Sequence, residues 1–397
     1  MENRKVSFSK LLLTTLVDLF LIGLAFGAGY GTAYLVQQRS TSHNVKLDTF
    51  WDVWKLVEKD FIGTLPSPQA RVYGAIRGSL TSLNDPYTVF VEPDSHQREK
   101  DDLRGSFGGI GVTMRRNAQG DLVLTPLPDS PALKAGVEDG DVLVSVDTRP
   151  ITPTMSFDDI AALVRGQVGT TVKITVRHAG QSDLISFTIT RQVIETPSVN
   201  WRLLDDSPQI GYLAVERFTE RTGDEVQRAL EDLKQKGSRQ IILDLRDNGG
   251  GLLTSAVDVA SQFIGDGVVL YEKQKGKDEQ MFRVKPGGLA TDVPIVALVN
   301  RATASASEIV AGALRDRGRA VLIGEQTYGK GSVQHIYDLN DGSSLHVTAA
   351  EWFTPNHHQL TGNGLQPDIA TPRSNDDIAA GRDPQLDRAV TYLKDSK

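Results

Sequence analysis

Ser305, Lys330 and Gln334 together supply a hydroxyl nucleophile, an amine base and an amide able to orient that base. Ser305 lies in Asn300-Arg-Ala-Thr-Ala-Ser-Ala-Ser-Glu308, and the other two lie in Gly324-Glu-Gln-Thr-Tyr-Gly-Lys-Gly-Ser-Val-Gln334. A serine hydroxyl attacks nothing until a base takes its proton. The chain has 7 His, and none sits in an obvious catalytic motif, so lysine is the expected base. Lys330 must then be neutral. Lowering a lysine from about 10.4 to about 7 costs roughly 4–5 kcal/mol, which burial without a carboxylate partner can supply. Gln334, four residues on, can accept an N–H from the amine without adding negative charge.

These groups need a frame. A strand predicted over 295–299 runs into a tight connection and a helix predicted over 302–315, which puts Ser305 in that helix's first turn. Unpaired amides and the positive end of the helix dipole gather there, so the N–H of Ala306 is a candidate oxyanion donor. The second candidate donor is Gly250 or Gly251, in Asp244-Leu-Arg-Asp-Asn-Gly-Gly-Gly251, where glycines after a buried strand let backbone approach a ligand closely. The run from Gly324 to Lys330 also matches part of a phosphate loop. Gly331 follows the lysine where such a loop needs Ser or Thr, so nucleotide binding is set aside. His357-His358 lacks a third ligand and a helical spacing, so no metal site is expected.

The chain is long enough for several domains. With 397 residues, a net charge of −7 and no basic stripe, it shows no sign of a nucleic-acid partner. With 0 Cys, disulfide and thiolate chemistry are excluded. Arg4, Lys5 and Lys10 precede residues 11–36, whose only side chain charged at neutral pH is Asp18. A helix of that length spans roughly 39 Å, enough to cross a bilayer with tilt, and the positive flank keeps residues 1–10 in the cytoplasm. The reading is a retained anchor with the remainder extracytoplasmic; a cleaved signal peptide is the rival. Gly23, Gly27 and Gly31 would allow two anchors to pack closely.

Residues 37–105 read as a linker followed by two amphipathic helices, which a core or a dimer partner would cover. Residues 106–193 read as a compact, strand-rich module with two helices, one opened by Ser130-Pro131 and one capped at Ser156. From 194 to 372 strands and helices alternate, with strands over 210–215, 241–245, 293–299 and 320–323, and a capping box at Thr222-Gly-Asp-Glu225. Residues 373–397 end in an amphipathic helix.

These motifs resemble the C-terminal processing, or tail-specific, serine peptidases. The resemblance rests on Leu83-Asn-Asp-Pro-Tyr87, the glycine loop ending at Gly251, Ala304-Ser-Ala-Ser-Glu308, Tyr328-Gly-Lys-Gly-Ser-Val-Gln334, Phe353-Thr-Pro355, Gly364-Leu-Gln-Pro-Asp368 and the closing helix. It implies an α/β multidomain protein with a ClpP/crotonase-like catalytic core, Ser305 as nucleophile, Lys330 as general base and Gln334 positioning the lysine. Thr303 stands where the family usually has Ser, and three glycines stand where it often shows a pair. The strand-rich module resembles a PDZ domain. Phe107, Gly108, Gly109, Ile110, Gly111 and Val112 would then hold a substrate's terminal carboxylate, and Arg165 would couple peptide occupancy to the active site. The implied partners are protein or peptide substrates with free C-termini, with no cofactor and with a homodimer as an option. A catalytically silent scaffold and a protease that needs an activating partner are the alternatives.

Overall fold

The computed structural model describes residues 47–395, and the predicted anchor lies outside them. Among the described residues no helix is long and apolar enough to cross a membrane. The chain divides into two units within its second helix, at Val72/Tyr73. The first unit carries α1 (Asp48–Asp60) and the start of α2 (Pro68–Thr81). No side chain of α1 is buried, and Trp51 and Leu56 remain more than half exposed.

The second unit begins with β1 (Val89–Val91) and α3 (Pro93–Arg104), and then enters the strand-rich module. The module comprises β2 (Ser106–Gly109), β3 (Val112–Arg116), β4 (Leu122–Pro126), α4 (Pro131–Ala135), β5 (Asp141–Val146), β6 (Arg149–Pro150), α5 (Phe157–Val164), β7 (Thr171–Arg177), β8 (Leu184–Thr190) and β9 (Gln192–Glu195). Its antiparallel sheet has the order β3-β4-β5-β7-β8, with β6 on β5, and β2 pairs with β9 at its base. Alternating residues of β7 fill its core: Val172, Ile174 and Val176 are buried while Thr171 and Lys173 face out. Ser130 and Ser156 cap α4 and α5 as expected, each accepting the N–H three residues on.

The α/β core follows: β10 (Val199–Leu204), β11 (Ser207–Val215), α6 (Thr222–Gln235), β12 (Gln240–Asp244), α7 (Leu253–Phe263), β13 (Val268–Gln274), β14 (Gln280–Arg283), β15 (Ile295–Val299), α8 (Ala306–Asp316), β16 (Ala320–Gly324), β17 (Ser332–Asp338), β18 (Ser344–Phe353), β19 (Ile369–Ala370), α9 (Asn375–Ala379) and α10 (Pro384–Asp395). One sheet has the order β10-β11-β12-β15-β16-β19, parallel from β11 onward. Parallel central strands are covered on both faces, so they read as unbroken apolar runs, and every residue of β15 is buried. One face packs on α6, α7 and α8, and the other on α10 through Ala389 and Leu393. A second sheet joins β1, β17, β18, β13 and β14.

Two expectations need correction. The helix after β15 starts at Ala306, not at residue 302. Asn300 and Thr303 build a turn there instead: Thr303 Oγ1 accepts the Asn300 N–H, and Asn300 Oδ1 accepts the Ala302 N–H. The capping box at Thr222 does not form either, because Thr222 is the first helical residue of α6. Its hydroxyl accepts the Thr219 N–H at 2.8 Å, and Glu225 accepts the Ser198 N–H at 2.7 Å, so both side chains serve the junction with β10.

Candidate active site

Three loops meet at the carboxyl ends of the parallel strands, where ligands bind in open α/β sheets. β12 feeds the glycine loop, β15 the serine turn and β16 the lysine loop. The register Asp244↔Leu298 sets the first two side by side. Asn248, fully buried, fastens them together. Its Nδ2 donates to the Val215 carbonyl, its Oδ1 accepts the Gly250 N–H, and its carbonyl accepts the Ala304 N–H and the Ser307 hydroxyl. Thr303, also fully buried, adds a bond from Oγ1 to the Leu245 carbonyl at 2.8 Å, so the departure from Ser retains a working hydroxyl. Behind the loop, Arg246 grips both Asp244 and Asp383, and Tyr212 donates to Asp244 at 2.7 Å. These bonds tie the start of the glycine loop to α10.

Ser305 is the N-cap of α8 at φ 56°, a conformation non-glycine residues rarely adopt. Such strain persists only where the surroundings over-determine it. Here Glu308 helps to do so. Its carboxylate is fully buried, and Oε2 accepts both the Ser305 N–H at 3.0 Å and the Lys330 N–H at 2.9 Å. Oε1 accepts the Gly329 N–H at 2.8 Å and the Thr327 hydroxyl. One carboxylate oxygen therefore holds the backbones of the serine and lysine that sequence reasoning paired. Glu308 was within the motif but unassigned. A lone carboxylate at the head of an otherwise apolar helix is the signal that could have found it.

The lysine side chain lies elsewhere in this arrangement. Lys330 Nζ sits 4.9 Å from the centre of the Tyr87 ring, and no hydrogen bond joins it to Ser305 Oγ. Burial holds the amine below the usual lysine range, while the charge of Glu99 pulls the other way. Tyr87 is placed by an Asx turn: Asp85 accepts the Tyr87 N–H at 3.1 Å and the Thr88 hydroxyl at 2.6 Å, and Asn84 takes φ 53°. A bond with Tyr328 and burial push the Tyr87 phenol up to about 12, so it stays neutral. Gln334 makes no hydrogen bond to the lysine; its Nε2 donates to Ser332 Oγ at 3.0 Å and Thr348 Oγ1 at 3.4 Å.

The candidate oxyanion donors separate. The Gly250 N–H is occupied by Asn248, whereas those of Ala306 and Gly251 meet no protein acceptor. A Cβ on Gly250 would lie 2.8 Å from Ser305 Cβ and 3.0 Å from Ala306 N, which shows how closely the loop approaches the Ser305 turn. In the strand-rich module, the Ile110 and Gly111 carbonyls accept from Ala132 and Leu127, while their own N–H groups meet no protein acceptor. Phe107 and Gly108 lie in β2 with Gly109, and Val112 opens β3. Arg165 lies 3.9 Å over the Phe107 ring and lines a cleft of about 760 Å³ with Arg98 and Arg104 of α3.

The fold and site define a serine-type peptidase carrying a PDZ domain. Peptidase family S41 matches residues 209–371, and the PDZ domain family matches residues 122–178. A carboxyl-terminal-processing protease from Synechocystis sp. is 35% identical over 347 residues, covering 86% of this chain and 81% of the relative. A carboxy-terminal-processing protease from Bartonella bacilliformis is 36% identical, covering 82% and 74%. A Bacteroides fragilis structure ascribed to the S41 proteases shares the fold at TM-score 0.52 and 16% identity, covering 85% and 93%. The chain belongs to the carboxyl-terminal-processing serine proteases of peptidase family S41.

Proposed function

We propose that this chain is a membrane-anchored, extracytoplasmic endopeptidase that captures protein C-termini in its PDZ groove and cuts near the tail with a Ser305–Lys330 dyad. The observation that carries the dyad is the shared Glu308 oxygen, which sets the two backbones on one acceptor. From there the four-carbon stem of Lys330 can swing from the Tyr87 ring to Ser305 Oγ. The neutral amine takes the hydroxyl proton as Oγ attacks the scissile carbonyl. The oxyanion lies against the N–H groups of Ala306 and Gly251, and Lys330 returns the proton to the leaving amine. Water then attacks the acyl-enzyme by the same route. Gln334 receives the amine once it leaves the aromatic face. The free N–H groups of Ile110 and Gly111 support capture of a terminal carboxylate, with the peptide adding a strand alongside β3. Arg165, between the PDZ loop and α3, reports occupancy to the core. Residues 11–36 supply the anchor.

The test compares wild type with Ser305→Ala on an unfolded protein ending in apolar residues, with its terminus free or amidated, reading product masses. Truncation by wild type alone, slowed by amidation, is expected. Equal cleavage of both termini would remove the capture step. Absence of cleavage and of phosphonate labelling at Ser305 would favour a silent scaffold, whereas cleavage only on adding a partner would favour an adaptor-dependent protease.

A further inference from the structure

A second cluster of reactive side chains stands apart from the nucleophile. It joins two elements far apart in sequence, α3 and β18. His96 is 4% exposed although α3 is otherwise nearly all polar. Its Nε2 lies 2.7 Å from Asp338 Oδ1, which also receives Lys100 Nζ at 2.9 Å. A carboxylate can only accept, so Nε2 carries a proton, and in the neutral ring Nδ1 keeps the lone pair. That Nδ1 is buried and has no partner. Buried polar atoms are rarely left so, and each exception calls for an explanation. Glu99, one helical turn on from His96, places Oε2 at 3.9 Å from His96 Nδ1 and at 3.2 Å from His346 Nε2. His346 is buried at 8% exposure, and its Nε2 also contacts Ser344 Oγ at 3.2 Å.

We propose that His96 Nδ1, the Glu99 carboxylate and His346 Nε2 form a binding site for one divalent cation of the zinc type. The donor atoms lie within 4.8 Å of one another. Bonds of about 2.0–2.1 Å in a tetrahedron give ligand-to-ligand edges of roughly 3.3 Å, near the 3.2 and 3.9 Å from Glu99 to the two rings, and closing on the ion draws the rings together. Two imidazoles and one carboxylate select zinc over calcium or magnesium, which prefer all-oxygen shells. Asp338 is already where an outer partner belongs, holding the far nitrogen of His96 and fixing its tautomer. Ser344 turns away when the metal takes His346 Nε2. The half-exposed Glu99 leaves an entry path, and solvent completes the shell.

The test uses the full-length Ser305→Ala protein without an affinity tag, stripped with chelator and titrated with Zn2+ by calorimetry. Co2+ is added in parallel as a spectroscopic probe. One Zn2+ per chain is expected, with a tetrahedral cobalt absorption band. Glu99→Gln and His346→Ala should each abolish both. Asp338→Ala should weaken binding about 10–100-fold, the usual effect of losing an outer partner. His357→Ala, outside the cluster, should leave it unchanged. Should His96→Ala unfold the protein, the other variants still decide. No Zn2+ binding, or binding kept at full affinity in both Glu99→Gln and His346→Ala, overturns the proposal and leaves the cluster an ion-pair network.

Discussion

Replacing the three loop glycines by alanine one at a time should give three different outcomes, fixed by the space at each position. At Gly249 an added Cβ meets no atom within 4 Å, and φ is not positive. Gly249→Ala should therefore cost little, with the stiffer unfolded chain returning about 0.4–1 kcal/mol. At Gly250 the Cβ would stand 2.8 Å from Ser305 Cβ and 2.9 Å from the Ala304 carbonyl, at φ 104°. Ordinary carbon contacts are about 3.5–4.0 Å, so the serine turn must yield by roughly 1 Å. A displacement of that size costs about 10²-fold in rate. At Gly251 the Cβ would lie 2.1 Å from the Phe218 carbonyl oxygen at φ 142°, and backbone cannot move aside as a side chain can. Phosphonate labelling of Ser305, followed by intact mass, together with thermal melting, reads all three. Gly249→Ala should label within about 3-fold of wild type, as neutral substitutions do. Gly250→Ala should fall about 10²-fold or more while still folding, and Gly251→Ala should fall at least as far and melt lower. Equal labelling by Gly249→Ala and Gly250→Ala would refute the loop's close approach to Ser305.

Three further outcomes follow from the same geometry. Glu308→Gln turns a donor amide toward two of the N–H or O–H groups that the carboxylate now accepts, at about 1.5–3 kcal/mol for each charged bond lost. It should lower the melting temperature and slow labelling together; an unchanged melt at wild-type labelling rate would leave Glu308 without a role. Glu99→Gln in chelated buffer removes the negative charge that raises the Lys330 pKa, so the labelling profile should shift to lower pH; no shift, or one upward, would contradict that coupling. Arg165→Ala should change peptide-stimulated cleavage without altering phosphonate labelling of the peptide-free enzyme, and unchanged stimulation would remove Arg165 from the mechanism.

Regular elements with their own periodicity were legible in the sequence. The five-residue apolar run of β15 and the alternation in β7 needed no tertiary information, and Ser130 and Ser156 announced α4 and α5 through local capping chemistry. α3 was not legible because Pro93–Arg104 has almost no apolar residues and buries only His96. The β17–β18 hairpin was missed because its outer strand is half exposed and its pattern weak. Residue types and spacing pointed to Ser305 and Lys330. They could not reveal that Glu308 carries both backbones, that Tyr87 lies under the amine, or that Asn248 occupies the Gly250 N–H, because each contact joins distant loops. Gln334, chosen for its four-residue distance from the lysine, lies on a strand whose pleat directs its amide to Ser332 and Thr348.

The central claim is that a neutral, partly buried Lys330 takes the proton of Ser305. The direct measurement is the rate of phosphonate labelling at Ser305 from pH 6 to 10, for wild type and Lys330→Met. Burial lowers the lysine pKa, so the wild-type rate should rise with pH through an inflection below the 10.5 of a free lysine, and the variant should be slow and flat. A flat wild-type profile, or a variant that labels as fast as wild type, would contradict it.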